Sequence, residues 1–296
     1  MPGAWRVIDA IGYRGEVAAG KGHLYIGEQS IALMDVAVLM VGPHCILHES
    51  TFDRAAVFDV SIVHCDWKGV PIATTFGWSE NSRVATRQRA QASLSVPRQK
   101  NAWMRIVKSK IRGQAEVLRY FKGNGYSELT DLSRAVKSGD PSNVEARAAR
   151  FYWRALDDGN EFRRLPGSRE GLNGFLDYTY AVLRGVCVRA VVSAGLNPAL
   201  GIWHHERANN FALVDDVIEP FRPAADLIAI TARGRHATLD SACKKDLVSV
   251  CETTFDRSGA TVSTVVSHFA RKFAIYAEGE SPALEVPVFE VRSENG

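Results

Sequence analysis

At 296 residues the chain is long enough for one large domain or two ordinary ones, and with 46% hydrophobic and 23% charged residues it has the composition of a globular protein. Its formal net charge of +3 singles out no partner by itself, no apolar run approaches the roughly 18 residues of a membrane helix, and "MPGAWRVIDA" lacks the basic-then-apolar pattern of a signal peptide. Cys45, Cys65, Cys187, Cys243 and Cys251 are scattered without a CxxC pair, which reads as reduced thiols and a cytoplasmic location.

Residues 1 to about 80 read as short strands: "HLYIGE", "IALMDVAVLMVG", "CILH", "SIVHC" and "GVPIATTF", rich in β-branched and aromatic residues and bounded by Gly, Pro or Asp. One short helix fits "STFDRAAVFD". From about Ser82 the pattern becomes helical. Between Arg98 and Lys122, Trp103, Ile106, Val107, Ile111, Val117, Leu118 and Phe121 recur at helical spacing. That segment carries eight Lys/Arg against the single acid Glu116, and "SRVATRQRAQAS" before it is basic too. Such a bias fits phosphate-backbone binding, and fits equally a solvated helix face balanced by acids elsewhere. In "SGDPSNVEARAARFYWRAL" Asp140 is placed to cap a helix with Pro141 in its first turn. "GLNGFLDYTYAVLRGVCVRAVVSA" reads as a long helix closed by Gly195. The parse is α+β, a small N-terminal β domain (residues 1–82) followed by a larger all-α domain (83–296). The run "VAVLMVG" is more apolar than a small lone sheet would hide, so the first domain is expected to dimerise.

"GLNPALGIWHHERANNFALVDDVIEPFRP", from Gly195 to Pro223, concentrates the chemistry. Pro198 and Gly201 place His204 on a loop. Leu213, Val214, Val217 and Ile218 then supply the apolar side of a helix, and Asp216 and Glu219, three apart, project from one face. One imidazole with two aligned carboxylates is a half-site for a divalent ion, and oxygen-rich ligation favours Mg²⁺ or Mn²⁺. The alternative is that Asp215 and Asp216 favour a helix N-terminus and the histidine is structural.

The same stretch resembles the signature of the CRISPR-associated adaptation endonucleases and integrases, the "Cas-one" family: a G-L-(D/N)-P-x-L-G-x-x-H turn, a loop, then L-x-x-D-x-x-E-x-F-R-P. "EARAARFYW" is similar to the family's E-G-x-A-A-R-x-Y helix, with Ala146 where glycine is usual, and the resemblance makes Glu145 a metal ligand together with His204 and Glu219. "FRRLPGSREGLNGFLDYTYAVL" matches a further segment through Phe162, Arg164, Asn173, Tyr178 and Tyr180. Pro220 is a departure, since proline disfavours helical geometry in the residue before it. The "VGPH" and "KIRGQ" elements look most like members that accompany single-effector (type II) systems.

The resemblance implies a β-sandwich-like first domain and a helical catalytic domain. It implies a Mg²⁺- or Mn²⁺-dependent enzyme that inserts DNA fragments as spacers into a CRISPR array, with Glu145, His204 and Glu219 as catalytic ligands. Asp216 would complete the ligand set or orient His204. Arg105, Lys108, Lys110, Arg112 and Arg222 would hold DNA phosphates without reading sequence. The implied partners are double-stranded DNA, a second copy of the chain, a small companion adaptation protein bridging two dimers, and the RNA-guided effector nuclease. Because clustered carboxylates repel one another, removing one ligand should cost activity rather than stability. Two rival readings are a structure-specific nuclease acting on branched DNA and an inactive DNA-binding scaffold.

Other constellations carry less. His44, Cys45, His48 and Glu49, with His64-Cys65, lack clean zinc spacing. "HHE" lacks H-E-x-x-H spacing, leaving His205 and Glu206 as loop neighbours. Ser168 and Ser193 lie in no nucleophile elbow, and no glycine-rich loop cradles a triphosphate. Tyr152-Trp153 and Tyr178-Tyr180 read as core aromatics.

Overall fold

A computed structural model describes residues 6–67, 69, 71–77, 83–122, 124–156, 162–168 and 170–291. The expected boundary after residue 82 falls outside the described residues. The eight strands among the described residues lie before it: β1 (Arg6–Ala10), β2 (Gly15–Gly20), β3 (His23–Ile26), β4 (Gln29–Ala32), β5 (Val36–Val41), β6 (Cys45–Leu47), β7 (Ser61–Cys65) and β8 (Pro71–Thr75), with helix α1 (Glu49–Val57) between β6 and β7. The sequence pattern marked six of these segments but passed over β1 and β2. It also ran β4 and β5 together, which a 3₁₀ turn at Leu33–Asp35 separates.

The strands form two sheets, ordered β1-β5-β7-β8 and β4-β3-β2-β6. In the first, β5 pairs parallel with β1 and with β7, so crossovers through the second sheet and α1 connect them. Every residue of β5 is buried. Leu39 and Val41 face a core shared with Val17, Leu24 and Ala55 of the second sheet and α1. Val38 and Met40 face the helices, in one core with Val182 and Val186. A parallel strand covered on both faces reads as an unbroken apolar run. The run "VAVLMV" is therefore hidden within the chain itself, and the expectation that it needed a second copy to cover it is corrected.

The rest is helical: α2 (Val84–Ala92), α3 (Val96–Phe121), α4 (Tyr126–Ala135), α5 (Val144–Leu156), α6 (Gly171–Ser193), α7 (Ala212–Val217), α8 (Arg222–Arg233), α9 (Ser241–Val248) and α10 (Val262–Ala277). Helix α6 is the hub. It is buried on nearly all sides, as its apolar "GVCVRAVV" requires. Gly185 lets it lie on the first sheet, since a Cβ there would come within 3.3 Å of Val63 and Val38. Gly195 ends it in the left-handed conformation (φ 72°), with Leu196 N donating to Val191 O and Gly195 N to Val192 O, the paired bonds of a Schellman motif. All five cysteines are free and four are buried; burial pushes the Cys65 thiol up to about 12.

Candidate active site

Glu145 is the second residue of α5. Asp140 and Asn143, both at positive φ, turn the chain into that helix, and the Asp140 carboxylate accepts the amides of Val144 and Glu145 at 2.9 Å each. The expected capping role of Asp140 is present, but Pro141 lies before the helix rather than in its first turn, because left-handed Asn143 cannot sit inside a right-handed helix. Glu219 opens a 3₁₀ turn, Glu219–Phe221, between α7 and α8. Pro220 has no amide to donate and so interrupts the α-helical ladder there. Phe221 N donates instead to Ile218 O at 2.9 Å, and its fully buried ring packs 5.0 Å from Phe255.

These two carboxylates, from remote stretches of chain, converge on Lys110 of α3. The Lys110 ammonium donates to Glu145 Oε1 at 2.5 Å and forms an ion pair with Glu219 Oε2 at 2.6 Å. Arg222 Nε donates to the other Glu219 oxygen at 2.8 Å. Burial alone would raise the Glu219 carboxyl; Arg222 and Lys110 outweigh it and hold it down at about 2. Burial likewise opposes the charge on Lys110, yet Glu219 and Glu145 raise its pKa overall.

His204 lies on the loop after α6, which α2 pins: Gln91 donates to Asn197 O and Leu200 O and accepts from Asn197 N. Gly201 is required by close approach, since a Cβ there would meet His204 O at 2.2 Å. Asp216 is wholly buried and accepts from Ile202 N at 2.5 Å, Trp203 N at 2.9 Å and His204 Nδ1 at 2.6 Å. That bond raises the His204 pKa and leaves Nε2 as its available nitrogen. The ring meets Trp103 of α3 edge-on at 5.5 Å, and Trp103 stacks on Trp203. Of the two roles expected for Asp216, its geometry fits orienting His204, since its oxygens are already occupied by the loop's donors.

Beside the carboxylates opens a cavity of about 840 Å³. Its walls include Lys110, Arg164, Arg184 and Arg222, each facing a carboxylate: Arg164 pairs with Asp177, Arg184 with Asp215 at 3.0 Å, and Arg222 with Glu219. Glu145 and His204 lie outside its walls among the described residues. Of the five residues expected on DNA, Lys110 and Arg222 thus belong to the buried charge centre. Arg105, Lys108 and Arg112 share a different face of α3; Arg112 is exposed, and Arg105 bonds Asn101.

The remaining candidates take structural partners. Cys45 donates to Ala10 O, His48 pairs with Glu16, and His64 bonds Thr75. His205 and Glu206 are exposed on the loop, and Ser193 donates to Asp59. Tyr178 donates to Asp9 of β1. Tyr152 and Tyr180 both donate to Asp226, a buried carboxyl that the sequence pattern did not single out; burial pushes it up to about 6 against the pull of Tyr180 and Tyr152. Glu145 and Glu219 were expected at one site, but the place of Lys110 between them was also missed. An i,i+3 spacing between Glu219 and Arg222 was the one local signal of this charge centre.

As placed, no three His, Cys, Asp or Glu among the described residues are grouped closely enough to hold a metal ion. The donor chemistry nonetheless suits a hard divalent cation: two carboxylates that already meet around one cation, and an imidazole with one nitrogen available.

Comparison with known proteins gives a consistent answer. Residues 24–251 match the family described as CRISPR associated protein Cas1. The CRISPR-associated endonuclease Cas1 of Neisseria meningitidis serogroup C (strain 8013) is 34% identical over 204 residues, 68% of this chain and 66% of that protein, so the chain spans just under two thirds of that relative's length. Among solved structures, a casposase bound to integration product superposes with a TM-score of 0.77 at 18% identity over 99% of this chain and 96% of the other. A chain of a Cas6-RT-Cas1–Cas2 complex does so with 0.74 at 17% identity, covering all of this chain and 37% of its own length. The protein belongs to the Cas1 family.

Proposed function

We propose that this chain is a metal-dependent DNA endonuclease and integrase that inserts DNA fragments into a CRISPR array by attack of the fragment's 3′-hydroxyl on an array phosphodiester. The observation that carries the reading is the meeting of Glu145 and Glu219 around one buried cation, in a family member whose relatives are described as endonucleases. Glu145, Glu219 and Nε2 of His204 would hold Mg²⁺ or Mn²⁺. When bound, the ion supplies charge stabilisation at the reacting phosphate and lowers the pKa of the attacking hydroxyl.

The chain's own groups do the rest. Asp216 fixes the tautomer of His204 by accepting from Nδ1, so that Nε2 is the nitrogen available to a ligand. The Phe221 anchor and Arg222 hold Glu219 against the cavity. Arg105, Lys108 and Arg112 offer charge to backbone phosphates along α3. Among the described residues no Ser or Tyr in the region lies in an activating arrangement: Tyr152 and Tyr180 donate to the buried Asp226 carboxyl, and Tyr178 donates to Asp9. This favours a nucleophile from the DNA itself.

Residues 1–82 form the dimerising part in this reading. Met34, Ile46, Val57 and Ile72 supply exposed apolar surface there, in place of the buried β5 run. A small second adaptation protein would bridge two dimers, as the Cas1–Cas2 composition of one structural neighbour suggests. The RNA-guided effector nuclease would join them during fragment capture. Strand transfer of a labelled fragment into array DNA tests the function: 3′-hydroxyl fragments should join with Mg²⁺ or Mn²⁺ and no nucleotide, whereas 3′-deoxy fragments should not. Cleavage of branched DNA without joining would favour a structure-specific nuclease, and neither activity would favour a scaffold.

A further inference from the structure

A lysine nine-tenths buried is costly unless its charge is matched, and Lys110 is matched by two carboxylates that the proposed function gives to a metal ion. Its ammonium sits between Glu145 Oε1 and Glu219 Oε2, 2.5 and 2.6 Å away. Arg222 already occupies the other Glu219 oxygen, so Oε2 is the atom an ion would take, and the Lys110 ammonium is the group that now holds it. Two carboxylates facing Lys110 and Arg222 are charge-neutral. A divalent ion bound to both carboxylates would need the oxygens that the Lys110 ammonium now holds, so the two cations cannot share that position. One helical turn along α3, Gln114 Oε1 is buried without a hydrogen-bond partner and borders the same cavity as Lys110. It gives a displaced ammonium an acceptor without leaving the cavity.

We propose that Lys110 holds the place of the divalent ion in the metal-free protein, neutralising Glu145 and Glu219 until the ion binds and then swinging along α3 toward Gln114. The inference rests on the metal reading above. It makes Lys110 a positioning residue that keeps two mutually repelling ligands together for the ion, at the expense of weaker ion affinity.

Titration calorimetry with Mn²⁺, combined with thermal unfolding in chelator and in saturating Mn²⁺, tests this. Lys110→Met should bind Mn²⁺ at least tenfold more tightly than wild type. In chelator it should melt ~5 °C or more below wild type, a gap that Mn²⁺ closes. Glu145→Gln placed on Lys110→Met should recover part of that stability in chelator, because one of the two facing carboxylates is then neutral. This double variant carries the stability test even if Lys110→Met alone folds poorly. Mn²⁺ affinity that is unchanged or weaker in Lys110→Met, or a double variant no more stable than the single one, overturns the proposal. Wild-type protein that binds no Mn²⁺ overturns the metal reading and the displacement together. Mn²⁺ bound by wild type, lost in Glu219→Gln and unaltered in Lys110→Met overturns the Lys110 inference alone.

Discussion

His204 and Glu219 flank the same short helix, α7, yet they are held in place by different means. His204 is fixed from within its own stretch of chain: Asp216, twelve residues on, ties both its ring and the backbone of the loop that carries it. That half is local hydrogen bonding and ring packing around one buried acid. Glu219 and Glu145 come from remote segments and are fixed by charge, through a lysine from a third helix and an arginine on the next turn. The imidazole half should therefore survive loss of a distant partner, whereas the carboxylate half should not.

The largest effects on activity should come from the three candidate ligands together. Glu145→Ala, His204→Ala and Glu219→Ala should each abolish strand transfer, by about 10³-fold or more, in the joining assay. Their stabilities should then separate. The expectation that losing a ligand merely relieves repulsion does not fit a centre whose carboxylates are already matched by Lys110 and Arg222. Glu219→Ala leaves Arg222 without its carboxylate and the buried Lys110 with Glu145 alone, and should cost about 3 kcal/mol. His204→Ala, at a half-exposed side chain, should cost about 1 kcal/mol. Denaturant unfolding in chelator measures both; equal losses would erase the distinction between the halves.

A milder change sharpens it. Asp216→Asn keeps the shape of the His204 loop but removes the anion, and an amide turned the wrong way loses either the ring or the backbone donors. Joining should fall about 10–100-fold and metal affinity with it. A fall as deep as that of His204→Ala would make Asp216 a ligand rather than an orienting group.

The same contrast explains what could be read in the sequence. The His204–Asp216 pair lies within one local motif, so spacing alone brought its members together. Gly195, Asp140 and the α3 stripe were legible for the same reason, each being a cap or a periodicity. Lys110 was not: on sequence it is one cation in a basic run, and only the packing of α3 against α5 and the 3₁₀ turn turns it inward. Asp226 is similarly silent, because its meaning lies in two tyrosines on other helices. The run in β5 misled for a related reason: an apolar strand does not say whether a helix of the same chain or a second copy covers it.

Separating inward from outward cations on α3 gives the next test. Arg105, Lys108 and Arg112 share one face, with Lys110 nearly opposite. Neutralising the three together should flatten the slope of log K against log salt for duplex binding by up to about three, roughly 0.9 for each phosphate that the protein no longer neutralises. Lys110→Met should leave that slope unchanged. A flatter slope for Lys110→Met with no change for the triple variant would reverse the assignment of faces.

The last comparison is between two buried carboxyls one helical stretch apart. Glu219 faces cations and is held at about 2, whereas Asp226 faces phenols and is pushed up to about 6 by burial, against the pull of Tyr180 and Tyr152. Their contributions to stability therefore run in opposite directions with pH. A carboxyl with a lowered folded pKa stabilises above its unfolded pKa of about 4.5, and that stability is lost as pH falls toward 2. One with a raised folded pKa binds its proton more tightly when folded, so the fold weakens as pH climbs from about 3.8 to about 6. Across that window Asp226→Asn should gain on wild type by up to about 3 kcal/mol, following the ~1.4 kcal/mol per pKa unit of linkage. Above pH 6 the difference should stay constant. Denaturant unfolding of both proteins at pH 4, 5, 6 and 7 checks it. A difference that shrinks as pH rises would mean that the tyrosine hydroxyls stabilise the Asp226 anion more than burial opposes it.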